Sequence, residues 1–275
     1  MARKNPIHLF AIAILWCSVS FAQYNSDFGS SNQCYKKTFS VVAWVLTDTM
    51  DLALPITQEI VEDALSEVSE DFSDICVDFK LCQYTELPNH RQDILVRGIH
   101  DEEIAALYRK KNVINLYIAT SVVDRSPEPG YCGYAIRGDS SALPDTNLRD
   151  ALFLAKGCFS ARTLSHVLGS YFGLFPTYET IANGIELVDG SNCATAGDLI
   201  CDTPADEPSG SNGNIENCQI VMNQQSQQTE TGLTYEVPIC NLMSKYPESG
   251  CEMRFTREQF NRMLYIMKTG RKYLW

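Results

Sequence analysis

The stretch Thr163–Thr177, TLSHVLGSYFGLFPT, sets His166 and Ser170 four residues apart. On a helix that spacing puts both side chains on one face. Two histidines so placed, with a third ligand beyond a sharp turn, would clamp a zinc ion. A glutamate directly after the first histidine would activate the bound water. Gly173 supplies the turn, since glycine readily closes a helix C-terminus. The other slots hold different chemistry. Val167 cannot take a proton, Ser170 offers only a neutral hydroxyl, and Pro176 has no donor atom in its side chain. His166 alone also fits a plainer role, a hydrogen-bonded or solvated histidine facing a cleft.

The rest of the chain offers little to complete such a site. Beyond residue 22 the histidines are His90, His100 and His166. A three-histidine centre would need all of them, and two lie far upstream. A set of His166, Glu179 and another carboxylate has no support in the spacing. Zinc sites need three or four well-placed donors, so the loss of two removes most of the affinity. Other chemistries find no frame either. There is no G-x-S-x-G elbow and no glycine loop for phosphates.

The elements that would position His166 are legible. Thr38–Thr47 is a β-rich run. After Pro55, apolar residues Ile56, Ile60, Val61, Ala64, Leu65, Val68 and Phe72 form one helical stripe. Cys76–Tyr84 alternates as a strand, with Cys76 and Cys82 on one face but too far apart to bond along a straight strand. Asp101–Lys110 reads as a short helix. Val113–Val123 reads as one central strand buried on both faces. Ser126–Gly130 is a turn, Tyr131–Ile136 a short edge strand and Leu152–Ala155 another strand. Ser160 then caps the helix that carries His166. This order predicts an α/β (α+β) fold with a mixed sheet. Tyr178–Pro238 is loop-rich, Gln224–Gln228 being a surface loop within it. Asp202, Asp206 and Glu207 read as a solvated loop. A final helix starts at Thr256, which forms a capping box with Gln259 and presents Phe260, Met263, Leu264 and Met267 on one face.

The N-terminus reads as a cleaved signal peptide over 1–22: Arg3 and Lys4, an apolar run Ile7–Val19, then Ser20-Phe21-Ala22. Trp16 argues against a lipid-anchored Cys17. The expected location is secreted or periplasmic. A polar leader over 23–37 follows. Net charge is −12, and the 22 basic residues less Arg3 and Lys4 against 34 acidic ones give −14 without the signal peptide. So acidic a chain argues against nucleic acid or an anionic membrane as partner, and no later run is apolar enough for a membrane span. Ten cysteines remain, an even number, and read as disulfides. That also disfavours a Cys–His nucleophile.

Four blocks carry a family resemblance: ICVDFKLC (Ile75–Cys82), LVDGSNCATAGDLICDTPAD (Leu187–Asp206), NLMSKY (Asn241–Tyr246) and CEMRFTREQFNRM (Cys251–Met263). With Gly173 and Asn241-Leu242-Met243-Ser244 they resemble the metzincin metalloproteases, whose motif H-E-x-x-H-x-x-G-x-x-H precedes a Met-turn. The nearer resemblance is to the secreted pappalysin family and its bacterial branch, from about Thr38 to the end of the chain. It implies a metzincin or zincin-like domain over 38–275. An upper subdomain (38–173) would hold a twisted mixed sheet with helices. A loop-rich, disulfide-bonded lower subdomain (174–275) would hold the Met-turn and the C-terminal helix.

The resemblance also assigns roles. His166 falls on the first zinc histidine, Val167 on the general-base glutamate, and Ser170 and Pro176 on the other two ligands. Met243 is the Met-turn methionine. Lys245 stands where the family often has a tyrosine that supports the transition state, with Tyr246 one later. Asp198 and Thr203 match positions that hold calcium in some relatives, although Asp-Thr-Pro is also a common turn. The implied disulfides are Cys193–Cys240 and Cys218–Cys251. The expectation is therefore a pseudoenzyme: a metallopeptidase homologue with zinc in its family but not expected to be bound here, calcium as a second ion, and a peptide or protein in its cleft. Two rivals stand beside it, an active zinc endopeptidase with a rearranged site and a structural secreted protein with no specific partner.

Overall fold

In the computed structural model the described residues are 34–47, 55–88, 93–124, 131–137, 150–180, 182–206, 214–216, 219–221, 235–246 and 252–274. All lie within one unit, Asn32–Trp275. Strand β1 (Lys37–Thr47) is buried continuously from Val41 to Leu46, as a strand covered on both faces must be. Helix α1 (Gln58–Asp71) starts at Thr57, whose hydroxyl accepts from the Ile60 amide. Its buried residues Val61, Ala64, Leu65 and Val68 lie on the predicted stripe. Strand β2 (Val77–Pro88) follows and runs parallel to β1.

Next come β3 (Ile94–Val96), α2 (His100–Tyr108), β4 (Ile114–Ala119), β5 (Ser121–Val123), β6 (Gly133–Ala135) and β7 (Leu152–Ala155). Then follow α3 (Ala161–Tyr171), the hairpin of β8 (Asn214–Glu216) and β9 (Gln219–Val221), and α4 (Arg257–Lys268). The main sheet has the order β2-β1-β4-β7-β6. Only the edge strand β6 is antiparallel, against β7. One apolar cluster fills the space between the sheet and helices α1, α3 and α4, and includes Val167, Met243 and Phe255. The second lies on the other face, where Trp44, Tyr117, Phe153 and Tyr134 meet Ile104 and Ala105 of α2.

Several expectations need correcting. Val113–Val123 is not one strand: the Thr120 amide donates to the Asp93 carboxylate at 3.0 Å, and β5 leaves the main sheet to pair with β3. Cys76 is not in a strand. It holds a left-handed backbone (φ 54) before β2 and bonds Cys34. Cys82 sits at a bulge, skipped where Val41 opposes Leu81 and Val42 opposes Gln83, and is exposed and unbonded. The implied pair Cys193–Cys240 is replaced by Cys193–Cys201. Positive φ at Gly190, Gly197 and Leu199 curls the loop, so that the two Cα atoms come within 5.1 Å. Cys240 is exposed and unbonded. A further bridge, Cys132–Cys158, ties β6 to the segment after β7. Residues 1–33, the turn 126–130, the loop 224–228, Glu207, and Cys218 and Cys251 lie outside the described residues.

A buried latch holds the C-terminus. Arg271 is fully buried, donates to Asp150, Tyr273, the Tyr171 carbonyl and the Ile136 carbonyl, and stacks 3.8 Å over the Tyr171 ring. A buried guanidinium is tolerable only with its charge paired and its donors used. The latch joins the tail to the end of α3 and to the chain leaving β6.

Candidate functional site

Helix α3 is fixed from both ends. The Ser160 hydroxyl accepts from the Thr163 amide at its start. At its end, Gly173 takes φ 95 and the Leu174 amide returns to the Gly169 carbonyl. Ser165 donates to Asp71 at 2.5 Å and joins α3 to α1. Leu164, Leu168, Tyr171 and Phe172 are buried, the apolar face that helical spacing gives this segment.

His166 is half-buried, and its Nδ1 lies 2.9 Å from the Leu242 carbonyl. A carbonyl only accepts, so Nδ1 carries the proton and Nε2 keeps its lone pair. Burial pushes the imidazole pKa down to about 4; the charge of Arg162 lowers it further, while the Leu242 contact opposes both. His166 is therefore neutral at physiological pH, the tautomer a metal ligand also needs.

Its neighbours do not extend that arrangement. Val167 is 2% exposed and belongs to the core. It packs on β6 so closely that a Cβ on Gly133 would lie 3.1 Å from Val167 Cγ2. Ser170 is half-buried. Pro176 opens a turn closed by the Glu179 amide at 3.0 Å, and the Thr177 amide donates to the Met243 carbonyl at 3.1 Å. Glu179 accepts from the Ala182 amide and faces Arg137 at 3.9 Å, so its carboxylate is engaged. Among the described residues, no group of three or more His, Cys, Asp or Glu side chains gathers as a metal site.

Met243 is fully buried under α3. A Cβ on Gly169 would come within 2.6 Å of its sulfur, so the helix needs glycine where the methionine approaches. The turn before it is set by Asn241, whose carboxamide oxygen accepts from the Met243 amide and which exchanges two hydrogen bonds with Gln259 of α4. The Thr256–Gln259 capping box is present.

Two cations pack against the residues flanking Pro176. Arg137 donates from Nε to the Leu174 carbonyl at 3.1 Å, and its guanidinium lies 3.4 Å from the Phe175 ring centre. Lys245 lies 5.5 Å from the centres of Tyr178 and Tyr246 and 3.9 Å from Asp206. Asp206 is buried and accepts from Thr177 and Tyr246, each at 2.9 Å. This corrects the reading of Asp206 as part of a solvated loop. Asp202 is exposed but caps α4 through Thr256 and the Glu258 amide. Sequence reasoning missed Arg137, because a lone arginine after a short strand carries no spacing signal.

The loop 182–206 holds a second arrangement. Asp198 is 1% exposed and accepts from Thr203 at 2.8 Å and from the Ile200 amide at 2.9 Å. Arg262 of α4 pins the carbonyls of Asp198 and Leu199. Glu186, also missed from sequence, is 5% exposed and lies over Gly197, where a Cβ would meet its carboxylate at 2.5 Å. Burial pushes both acids up to about 7, and the charge of Asp198 adds to the effect on Glu186. Glu186 stands one residue before the family-like block, so no motif singled it out.

No protein-family model matches the sequence, and no curated protein matches it. Solved structures do. Mirolysin in complex with compound 9 is 16% identical, with a TM-score of 0.57 over 86% of this chain and 96% of that one. Tannerella forsythia mature mirolysin in complex with a cleaved peptide is 15% identical, with a TM-score of 0.55 over 87% of this chain and 95% of that one. A mutant of Tannerella forsythia promirolysin gives a TM-score of 0.51 at 16% identity, over 88% of this chain and 85% of that one. Over most of its length, then, the chain has the mixed α/β fold of mirolysin.

Proposed function

We propose that this chain is an exported, pappalysin-type metallopeptidase homologue that no longer hydrolyses peptides and serves as a peptide-binding protein. The observation that carries the reading is Val167. At the general-base position the side chain is buried in the core against Gly133, so the slot has become packing. The other positions agree. One imidazole, one hydroxyl and one pyrrolidine do not make the donor set that zinc requires. Glu179 is engaged with Arg137 and the Ala182 amide, which argues against its recruitment as a substitute ligand.

The binding role draws on the scaffold. Strand β6 is an edge strand, and an edge can accept an extended peptide by strand addition. Mature mirolysin, which shares the fold, has been solved with a cleaved peptide. The cleft would lie between the subdomains 38–173 and 174–275. Three disulfides fit an oxidising compartment, and among the described residues no helix is long and apolar enough to cross a membrane. Asp198 and Thr203, now with Glu186, are the residues that would hold calcium. Hard oxygen donors on a tight loop suit that ion, which would offset two carboxylates buried side by side.

Zinc stoichiometry of the purified chain, paired with cleavage of an unfolded protein substrate, tests the reading. The expected result is far less than one equivalent of zinc and no chelator-sensitive cleavage. One equivalent together with such cleavage overturns it in favour of a rearranged active site.

A further inference from the structure

We infer that the floor of the cleft around Pro176 is an anion subsite, which takes a carboxylate of the bound peptide through Arg137 and Lys245. The inference rests on the peptide-binding reading and names the ligand class for it.

Residues 174–179 meet one cation on each side of the proline, Arg137 at Leu174, Phe175 and Glu179, and Lys245 at Tyr178. Both cations have acids beside them, but the acids are set further back. The Arg137 side chain is 35% exposed against 13% for Glu179, and that of Lys245 is 19% exposed against 0% for Asp206. Asp206 already accepts from Thr177 and Tyr246, and Glu179 from the Ala182 amide. In each pair the cation is the more exposed partner, in a chain whose net charge is −12.

Arg137 is also preorganised. Its Nε is committed to the Leu174 carbonyl and its plane rests on Phe175, while Nη2 faces Glu179 at 3.9 Å, an ion pair too long for a hydrogen bond. A guanidinium held in one plane matches the fork of a carboxylate. It stands two residues beyond the end of β6, so a strand added to β6 would run past it.

The carboxylate has two sources, an Asp or Glu side chain within the peptide or its free C-terminus. Fluorescence anisotropy of the purified chain with four labelled decapeptides separates them. All share an alanine–serine–tyrosine background. Three are acetylated and amidated, with Glu, Gln or Lys at the centre. The fourth is the Gln peptide with a free carboxylate. An anionic peptide is expected to bind at least about tenfold more tightly than the amidated Gln peptide, as a charge-assisted pair implies. Which anionic peptide leads identifies the source. Arg137→Gln should reduce that preference to about twofold or less. Lys245→Gln, with folding checked by thermal melting, gives a second reading if the first variant is unstable. Equal binding of the neutral and anionic peptides overturns the subsite and leaves the peptide-binding reading standing. Tighter binding of the Lys peptide also overturns the subsite. If none of the four binds, both fall.

Discussion

The end of α3 and the loop 182–206 sit on either side of residue 181, and each carries positions that the family resemblance links to a metal. In the first, polar positions have become packing or are individually satisfied. Val167 fills core, the His166 Nδ1 proton goes to a carbonyl, and Glu179 accepts from an amide. In the second, two carboxylates lie buried near each other with a hydroxyl beside them, and burial raises both pKa values to about 7. Losing charge chemistry is inexpensive once the slot is filled with apolar atoms, whereas keeping two buried acids beside a single cation, Arg262, is costly. Under the proposed function, that difference would be a cation requirement kept in the loop and given up at the helix.

Returning the glutamate is the strongest way to break that contrast. Val167→Glu would place a carboxylate among Leu154, Gly133 and the core beneath the sheet. An unpaired charge there should cost about 3–5 kcal/mol, a large share of a typical domain's stability. Urea denaturation should show the midpoint falling steeply with little change in slope. A cost below about 1 kcal/mol, the range of a surface substitution, would mean that position 167 still opens onto the cleft as a base would.

The loop should respond to ions where the helix does not. Calcium at a hundredfold excess over its Kd should stabilise the chain by about 2.7 kcal/mol, read as a rise in Tm against a chelator control. Glu186→Gln sharpens the point. Without calcium at pH 7.5 the variant should be the more stable protein, because one buried charge is gone. With calcium the order should reverse, because only the parent gains. A Tm that ignores calcium in both proteins would make Asp198–Thr203 an ordinary turn and remove the contrast.

How much of this was legible in the sequence follows the same division. The stripe of α1, the caps of α3 and α4, the stripe of α4, β7 to the residue, and β6 as an edge could be read, because each is encoded by neighbours within a few positions. The break at Thr120 could not, since it depends on Asp93, 27 residues earlier. The Cys193–Cys201 bridge was masked by the family-implied pairing, although its curl rests on glycines present in the sequence. At the candidate site, His166, Val167, Ser170 and Pro176 were visible as types at a spacing. The burial of Val167, the tautomer of His166, and the roles of Arg137 and Glu186 come from contacts between distant segments, which no local pattern carries.

His166 supplies the smallest test, through pH. Its folded pKa of about 4 lies below the usual value of 6.5, so below pH 6.5 the unfolded chain binds a proton that the folded one refuses. The stability it contributes is complete above pH 6.5 and is lost as pH falls from 6.5 toward 4. Its side chain is partly reached by solvent, so the loss should be on the order of 1–2 kcal/mol. His166→Gln keeps a donor for the Leu242 carbonyl and removes the titration. The variant's stability should fall less than the parent's over that window, by that amount, in denaturation curves taken with calcium present to hold the loop constant. Parallel curves for the two proteins would mean that the imidazole is solvated enough to titrate normally. The end of α3 would then remain an open polar cleft rather than a refilled one.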